Sequence, residues 1–325
     1  MRVLIALLCI FLICETASAG PFKRFRQRSE RDNHSGQGRS TGNAEGMQTT
    51  ADGRQYILHV PYLYKGSSPA PLVFVFHGGG GAAQGIANMS GMNNVADREG
   101  FLVAYPNGTG GGRGGGGGGS WNLGPRASNS NAASKQNVDD IGFVRQMISD
   151  ISSKYNVDKS RIYTAGLSLG GMFSYRLGCE MTDTFAAMAA VASTMEPPSC
   201  SPSTVLPVLH IHGAQDENIP LKGGRGKMTA MRNSWPAPQQ GIDFWKSKDQ
   251  CSDSQEVVYQ EHNTVCKTYQ GCQAGTEVTF CLVGNQGHGW PGMPPKRWQK
   301  QKGVPVNQSF NASEMVWSFF KKHRR

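Results

Sequence analysis

The order of apolar and polar positions along the chain predicts a series of short, buried strands. Residues 72–76 form a continuous apolar run, Leu-Val-Phe-Val-Phe, which is typical of a parallel strand that is covered on both faces. Segments of similar β-branched and aromatic character recur further along the chain. We predict further strands over residues 55–60, 101–105, 161–168, 208–211 and 277–283.

Apolar residues at helical spacing lie between these strands. Residues 138–140 offer N-caps for one helix, and a closing helix is predicted over residues 312–322, capped by Asn311 or Ser313. The apolar stripe of the first helix comprises Phe143, Met147, Ile148 and Ile151. This alternation favours an α/β fold, in which a mostly parallel central sheet carries helices on both faces.

The length and the ends of the chain suggest three regions. The 325 residues are 38% hydrophobic, which is enough for one large core, and we assign residues 51–325 to it. Residues 1–19 have a basic start, an apolar run and Ala17-Ser18-Ala19 before Gly20, as in a cleaved signal peptide. The apolar run is too short to span a membrane. We therefore expect an exported protein, secreted or periplasmic, without a membrane span.

The segment between these regions, residues 20–50, is basic and polar. Its composition cannot bury a core, so we predict disorder, with a solvated tail or a tether to an anionic surface as its role. The basic residues of the segment are Lys23, Arg24, Arg26, Arg28, Arg31 and Arg39. The formal net charge of the chain is +10. Nucleic acid is not an expected partner, because no recognition motif or aromatic-basic interleaving accompanies this charge.

Six of the eight cysteines remain after residues 1–19 are removed. An even number in an exported chain suggests disulfides, although six cysteines allow fifteen pairings. Our hypothesis pairs Cys266 with Cys281 across a hairpin, Cys251 with Cys272, and Cys179 with Cys200. A zinc site is the alternative, but none of the spacings is Cys-x-x-Cys.

The segment over residues 161–171 predicts a nucleophile elbow that carries Ser168. A strand that turns sharply into a helix around an exposed serine needs small residues at Gly166 and Gly170, because side chains there would collide. Residues 38–42 match the same Gly-x-Ser-x-Gly spacing but have no strand before them and no apolar helix after them. Ser168 is therefore the candidate nucleophile.

A serine nucleophile needs a histidine base and an acid that orients the base. Asp216 and His288 follow Ser168 in the order serine, acid, histidine, and each comes after a predicted strand. Glu217 is the local rival of Asp216. His262 and His323 are less well placed as bases, one before a strand and the other at the charged C-terminus.

Backbone donors for a developing oxyanion are also expected. Gly79 or Gly80, in the glycine run after residue 76, can present one N–H, and Leu169 directly after the nucleophile can present the other. We interpret His77 as a structural hydrogen-bonding residue. His210 and His212 point to one face of a strand, but without a third ligand they predict no metal site.

Several short segments of the chain, taken together, resemble the secreted polyhydroxybutyrate depolymerase-like esterases, a group related to feruloyl and acetylxylan esterases. The resemblance runs from about residue 54 to residue 320. It rests on residues 76–81, 105–108, 121–122, 138–143, 166–171, 212–220 and 287–292. It implies an α/β-hydrolase fold for residues 51–325, ester cleavage by Ser168, Asp216 and His288, and no metal or organic cofactor. It also implies that Trp121 and Trp290 lie near the acyl group of the substrate.

Two departures from this family affect the expected substrate. Residues 108–119 form a glycine-rich insertion expected near the mouth of the site, and no polymer-binding module follows the predicted domain. We expect a serine carboxylesterase acting on 3-hydroxyalkanoate oligoesters. The alternatives are a feruloyl or acetylxylan esterase acting on plant polysaccharide, a serine peptidase of the same fold, and a non-catalytic protein that binds surfaces through its basic tail.

Overall fold

The computed structural model describes residues 46–110, 118–124, 131–196, 200–227 and 234–325. They belong to one compact unit, Ser40–Arg325. The predicted signal peptide, most of the basic segment and the middle of the glycine-rich insertion lie outside the described residues. No helix among the described ranges is long and apolar enough to cross a membrane.

Twelve strands occur in the described part of the chain. In chain order they are β1 (Gly46–Thr49), β2 (Gln55–His59), β3 (Ala70–Phe76), β4 (Leu102–Pro106), β5 (Val157–Leu167), β6 (Ala187–Val191), β7 (Val208–Gly213), β8 (Gly224–Arg225), β9 (Ser234–Trp235), β10 (Gln255–Glu261), β11 (Thr264–Tyr269) and β12 (Val278–Val283). The predicted strands are all present, within a few residues of their expected bounds. The strand β1 begins at residue 46, so the segment predicted to be disordered cannot extend to residue 50.

The helices of the described residues alternate with the strands. They are α1 (Ala83–Ser90), α2 (Met92–Glu99), α3 (Ala132–Lys135), α4 (Asp140–Lys154), α5 (Leu169–Glu180), α6 (Pro238–Lys248), α7 (Arg297–Gln301) and α8 (Ala312–Phe320). Asp139 caps α4 by accepting a hydrogen bond from the Gly142 N–H, and Asn311 caps α8. Asp140 takes no part in the cap. It is fully buried and forms an ion pair with Arg54 at 2.7 Å.

Ten strands form one sheet in the order β1-β2-β4-β3-β5-β6-β7-β12-β11-β10. The six strands from β4 to β12 in this order are parallel, and β1, β2, β11 and β10 extend the two edges in antiparallel pairing. The mostly parallel sheet predicted from the sequence is therefore confirmed. The carboxyl ends of the parallel strands meet at one edge, which is where open α/β sheets place their binding sites.

Helices cover both faces of this sheet. Neighbouring residues on a strand point to opposite faces, and Ile162 and Tyr163 on β5 illustrate the two sides. Ile162 packs in a core cluster with Phe143 of α4 and Phe173 of α5. Tyr163 stacks on Phe320 of α8, with ring centroids 4.7 Å apart. The two-sided covering explains why the central strands are apolar at consecutive positions.

The described part of the chain contains three disulfides, with the pairs of the sequence hypothesis: Cys179–Cys200, Cys251–Cys272 and Cys266–Cys281. Cys266 and Cys281 are direct partners in the antiparallel register of β11 and β12. The 3-10 turn Gln273–Gly275 lies in the connection between these strands, where the hairpin was expected. This bond joins the antiparallel edge of the sheet to the strand that precedes His288.

Candidate active site

Ser168 occupies a strained turn between β5 and α5. Its φ and ψ angles are 54° and −118°, a region that residues with a side chain rarely adopt. Its N–H donates to Val191 O and its carbonyl accepts from Ser193 Oγ at 2.8 Å, so the end of β6 holds the turn. Ser193 has no distinguishing sequence motif, and its supporting role emerges only from the fold.

The glycines on each side of Ser168 are sterically required. A Cβ added at Gly166 would lie 2.2 Å from the Gly170 carbonyl oxygen. A Cβ added at Gly170 would lie 2.3 Å from Phe76 O on β3. These close backbone approaches form the elbow and bring the turn next to the glycine run that follows β3.

Asp216 lies in the loop after β7, with its side chain buried. Its Oδ1 atom accepts hydrogen bonds from the N–H groups of Asn218 and Ile219 at 2.8 and 2.9 Å. Its Oδ2 atom lies 2.8 Å from His288 Nδ1. Burial acts to raise the pKa of Asp216, but its interactions with His288 and His212 and the hydrogen bond from the Ile219 N–H together outweigh burial and hold the pKa below its usual value. Asp216 therefore stays ionised beside His288.

The rival acid, Glu217, points away from this pair. Its side chain is 52% exposed and forms an ion pair with Lys227 at 3.1 Å. The structure thus brings together Asp216 and His288, and leaves Glu217 at the surface.

His288 is presented by a loop that several contacts hold in place. Gly213 approaches this loop so closely that a Cβ there would lie 2.4 Å from Gln286 O. Gln299 Nε2 donates to His288 O at 3.3 Å, and Gly287 N–H donates to Pro305 O at 2.8 Å. Among the described residues, no hydrogen bond joins Ser168 Oγ to His288, and such bonds are often long before substrate binds.

The two candidate oxyanion glycines differ in their hydrogen bonds. The N–H of Gly80 donates to Gly119 O at 3.0 Å, so the structure argues against Gly80 as an oxyanion donor. A Cβ at Gly79 would lie 3.6 Å from the Leu169 side chain, which places Gly79 beside the elbow. Within the described residues, the N–H groups of Gly79 and Leu169 have no backbone acceptor. These two amides remain the candidate donors.

His77 ties the glycine run to the start of the glycine-rich insertion. Its Nε2 atom accepts from the Gly108 N–H at 2.9 Å, and its Nδ1 atom lies 2.8 Å from Gly78 O. Burial lowers the pKa of His77 to about 4, so the ring is neutral at ordinary pH and Nδ1 carries the proton. The structural role expected for His77 agrees with these contacts. The insertion also pairs its far end, Gly119, with Gly81.

Trp121 and Trp290 are both buried, which differs from the expected contact with the acyl group. Trp121 is 0% exposed, and its Nε1–H donates to His77 O at 2.8 Å. Trp290 is 2% exposed and donates to Ser313 Oγ at 3.0 Å. Neither ring is open to a substrate in this structure. They anchor the glycine run and the His288 loop instead, since their N–H groups need partners in the core.

A buried chain of hydrogen bonds lies behind Asp216. Tyr175 Oη lies 2.7 Å from His210 Nδ1, His210 Nε2 lies 3.2 Å from His212 Nδ1, and His212 Nε2 lies 2.9 Å from Ile219 O. Burial lowers the pKa of both histidines, so they are neutral. All four ring nitrogens are engaged, and the chain supports the loop that bears Asp216. The His-x-His pair was visible in the sequence, where the lack of a third ligand argued against a metal site, and the hydrogen-bonded chain emerges only from the fold.

Comparison with known proteins agrees with this geometry. Residues 63–260 match the family model described as Phospholipase/Carboxylesterase, a span that includes Ser168 and Asp216 and ends before His288. Feruloyl esterase B of Piromyces equi is 28% identical over 72% of this chain and 42% of its own length. The bifunctional acetylxylan esterase/xylanase XynS20E of Neocallimastix patriciarum is 27% identical over 60% of this chain and 25% of its own length. The chain thus spans less than half of each relative.

Among solved structures, the acetyl xylan esterase from Aspergillus awamori matches 79% of this chain and 98% of its own, with a TM-score of 0.54 and 15% identity. At that identity the match concerns the fold alone. The family match covers more than half of the chain, and the match to this structure gives the same architecture. The chain belongs to the phospholipase/carboxylesterase family and has the α/β-hydrolase fold.

Proposed function

We propose that this protein is a serine carboxylesterase in which Ser168, His288 and Asp216 form the catalytic triad. The observation that carries the proposal is the hydrogen bond between His288 Nδ1 and the buried Asp216, at the same sheet edge as the Ser168 elbow. The bond requires Nδ1 to carry a proton, so Nε2 is free to accept one.

The reaction follows from these positions. His288 Nε2 takes the proton of Ser168 Oγ as the oxygen attacks the ester carbonyl carbon, and the amides of Gly79 and Leu169 stabilise the oxyanion. His288 then gives the proton to the departing alcohol oxygen, which leaves an acyl group on Ser168. Water, deprotonated by His288, attacks this acyl-enzyme, and His288 returns the proton to Ser168 Oγ as the acid is released. Asp216 holds the ring in its tautomer and stabilises the imidazolium.

The substrate class that we propose is the feruloyl or acetyl ester of a plant polysaccharide. The named relatives support it, since one is a feruloyl esterase and the other an acetylxylan esterase. The 3-hydroxyalkanoate oligoesters expected first from the sequence gain no such support. Feruloyl or acetyl esters therefore replace 3-hydroxyalkanoate oligoesters as the first proposed substrate class.

Initial rates on three substrates test this proposal. Methyl ferulate, acetylated xylan and 3-hydroxybutyrate oligomers are compared with the purified protein, and Ser168→Ala serves as the blank. We expect serine-dependent cleavage of the ferulate or the acetylated xylan to exceed cleavage of the oligomers. Faster cleavage of the oligomers would restore the depolymerase interpretation, and no serine-dependent turnover would overturn the proposed reaction.

The proposed location is outside the cytoplasm, after cleavage of residues 1–19. Three disulfides support it, because such bonds persist in oxidising compartments. N-terminal sequencing of the exported protein should give a start near Gly20. An intact Met1 on exported protein would contradict the cleavage.

A further inference from the structure

A cavity of about 810 Å³ lies beside His288. Its wall is formed by the loop after β7, by the segment that contains β8, and by residues 302–305. Sites that hold small ligands commonly have volumes of this order. His288 and Asp216 line one side of it, while Ser168 does not. The cavity is thus on the histidine side of the candidate triad.

The charged residues of the wall are mostly basic. Among the described residues, four cations line the cavity, Lys222, Arg225, Lys227 and Lys302, against the two acids Asp216 and Glu217. Both acids are already engaged, since Asp216 bonds His288 and Glu217 pairs with Lys227. In the described ranges, Lys222 and Lys302 have no acidic partner. The cavity therefore offers positive charge to a ligand.

Hydrogen bonds fix the basic segments to the loops of the candidate triad. Lys227 N–H donates to Glu217 O at 2.8 Å, next to Asp216. A Cβ at Gly226 would lie 2.1 Å from Asn218 O, so this segment packs directly on the Asp216 loop. The segment 302–305 is joined to the His288 loop through the bond between Gly287 N–H and Pro305 O. These contacts fix the position of the two basic segments relative to His288.

The position of the cavity indicates which part of an ester it would meet. In the proposed reaction His288 gives its proton to the departing alcohol oxygen, so groups on the histidine side face the alcohol portion. We infer that this cavity binds carboxylates on the alcohol portion, and that the favoured substrates are feruloyl or acetyl esters of saccharides containing uronic acids. The inference rests on the proposed function and adds its substrate class.

A pair of matched substrates and two double variants test the inference. The substrates are an acetylated uronic acid oligosaccharide and the same oligosaccharide with its carboxylates reduced to alcohols. The cavity variant is Lys222→Gln with Lys302→Gln. Its control is Lys65→Gln with Lys159→Gln, which removes the same charge from exposed lysines that do not line the cavity.

We expect the cavity variant to raise KM for the acidic substrate about tenfold, since each exposed ion pair contributes a few-fold in binding. The control variant should leave this KM unchanged, and neither variant should alter KM for the reduced substrate. Equal effects of both variants, or no effect of either, would overturn the inference.

A binding measurement separates failure of the inference from failure of the proposed function. Calorimetric titration of Ser168→Ala with the acidic oligosaccharide does not require turnover. Binding that weakens with the two cavity substitutions would support the site even if the enzyme cleaved other esters. Normal turnover of methyl ferulate without a preference for acidic saccharides would overturn the inference and leave the esterase proposal intact.

Discussion

Each carboxylate oxygen of Asp216 has a separate partner. Oδ1 accepts two backbone N–H groups of its own loop, and Oδ2 accepts from His288 Nδ1. The first pair of bonds fixes the carboxylate, and the second bond fixes the imidazole. Sequence order led to Asp216 as the candidate acid, with Glu217 as its rival, because an acid after a strand lies at the carboxyl edge of the sheet. The bonds that exclude Glu217 depend on the turn itself and could not be predicted.

The first prediction concerns this acid. Asp216→Asn should lower kcat about 10⁴-fold, because an amide N–H next to Nδ1 favours the tautomer in which Nε2 carries the proton. Glu217→Gln is the matched control and should change kcat less than about twofold, as expected for an exposed ion pair. Steady-state rates on methyl ferulate measure both. Similar losses in the two variants would contradict the assignment of Asp216.

The second prediction distinguishes two roles for Trp121, holding the glycine run in place and contacting the substrate. Trp121→Phe keeps an aromatic ring but leaves His77 O without its buried donor, a loss of about 1–3 kcal/mol. We expect kcat to fall about tenfold, with KM unchanged, for ferulate and acetate esters alike, because the glycine run that bears Gly79 loosens. A change of KM that depends on the acyl group would instead indicate that the ring contacts the substrate.

At the scale of elements, the central strands were predictable because both of their faces are buried. A strand such as β3 must then be apolar at every position, which leaves a plain signal. The strand β6, Ala-Met-Ala-Ala-Val, is equally buried but rich in residues that favour helices, so packing overrides its intrinsic preference. The short strands β1, β8 and β9 carry too few residues for any periodic pattern.

The third prediction concerns the end of α6, where Asp249 is fully buried and accepts a hydrogen bond from the Leu206 N–H. Burial raises the pKa of Asp249 from 3.8 to about 7. The folded state thus holds a proton that the unfolded state releases at lower pH. Its stabilising contribution is complete below the unfolded pKa and is lost as the pH rises through the folded pKa.

Asp249→Asn should remove this dependence. We expect its melting temperature to exceed that of the wild type at about pH 8 and to approach it near about pH 4. Thermal unfolding across this range, taken as the difference between the two proteins, isolates Asp249 from the histidines, which titrate in both. A difference that is constant with pH would contradict the raised pKa.

At the scale of the whole molecule, two basic regions contribute to the net charge of +10, namely the segment before β1 and the wall of the cavity. The first was visible in the sequence as a polar, basic run. The second was not, because its cations come from two distant segments that only the fold brings beside His288. Local motifs thus predicted the candidate nucleophile, base and acid of the proposed triad, whereas the surroundings that would select a substrate required the tertiary structure.

The fourth prediction concerns the basic segment. Deletion of residues 20–45 spares β1 and should leave kcat on methyl ferulate within about twofold, while binding to anionic vesicles falls because the attraction is electrostatic. The control keeps the length and replaces the six basic residues named above by glutamine. This variant should show the same kcat and the same loss of vesicle binding as the deletion. Loss of turnover in both would show that the segment contributes to the site.

The proposed triad is tested most directly by identifying the residue that a fluorophosphonate labels. An activated serine attacks the phosphorus atom, displaces fluoride and retains the phosphonyl group, so peptide mapping by mass spectrometry locates the nucleophile. We predict one label per chain, on Ser168, in the folded protein and none after denaturation or in Ser168→Ala. Labelling of another serine with full loss of activity, or esterase activity that persists when Ser168 is labelled, would contradict the proposed triad.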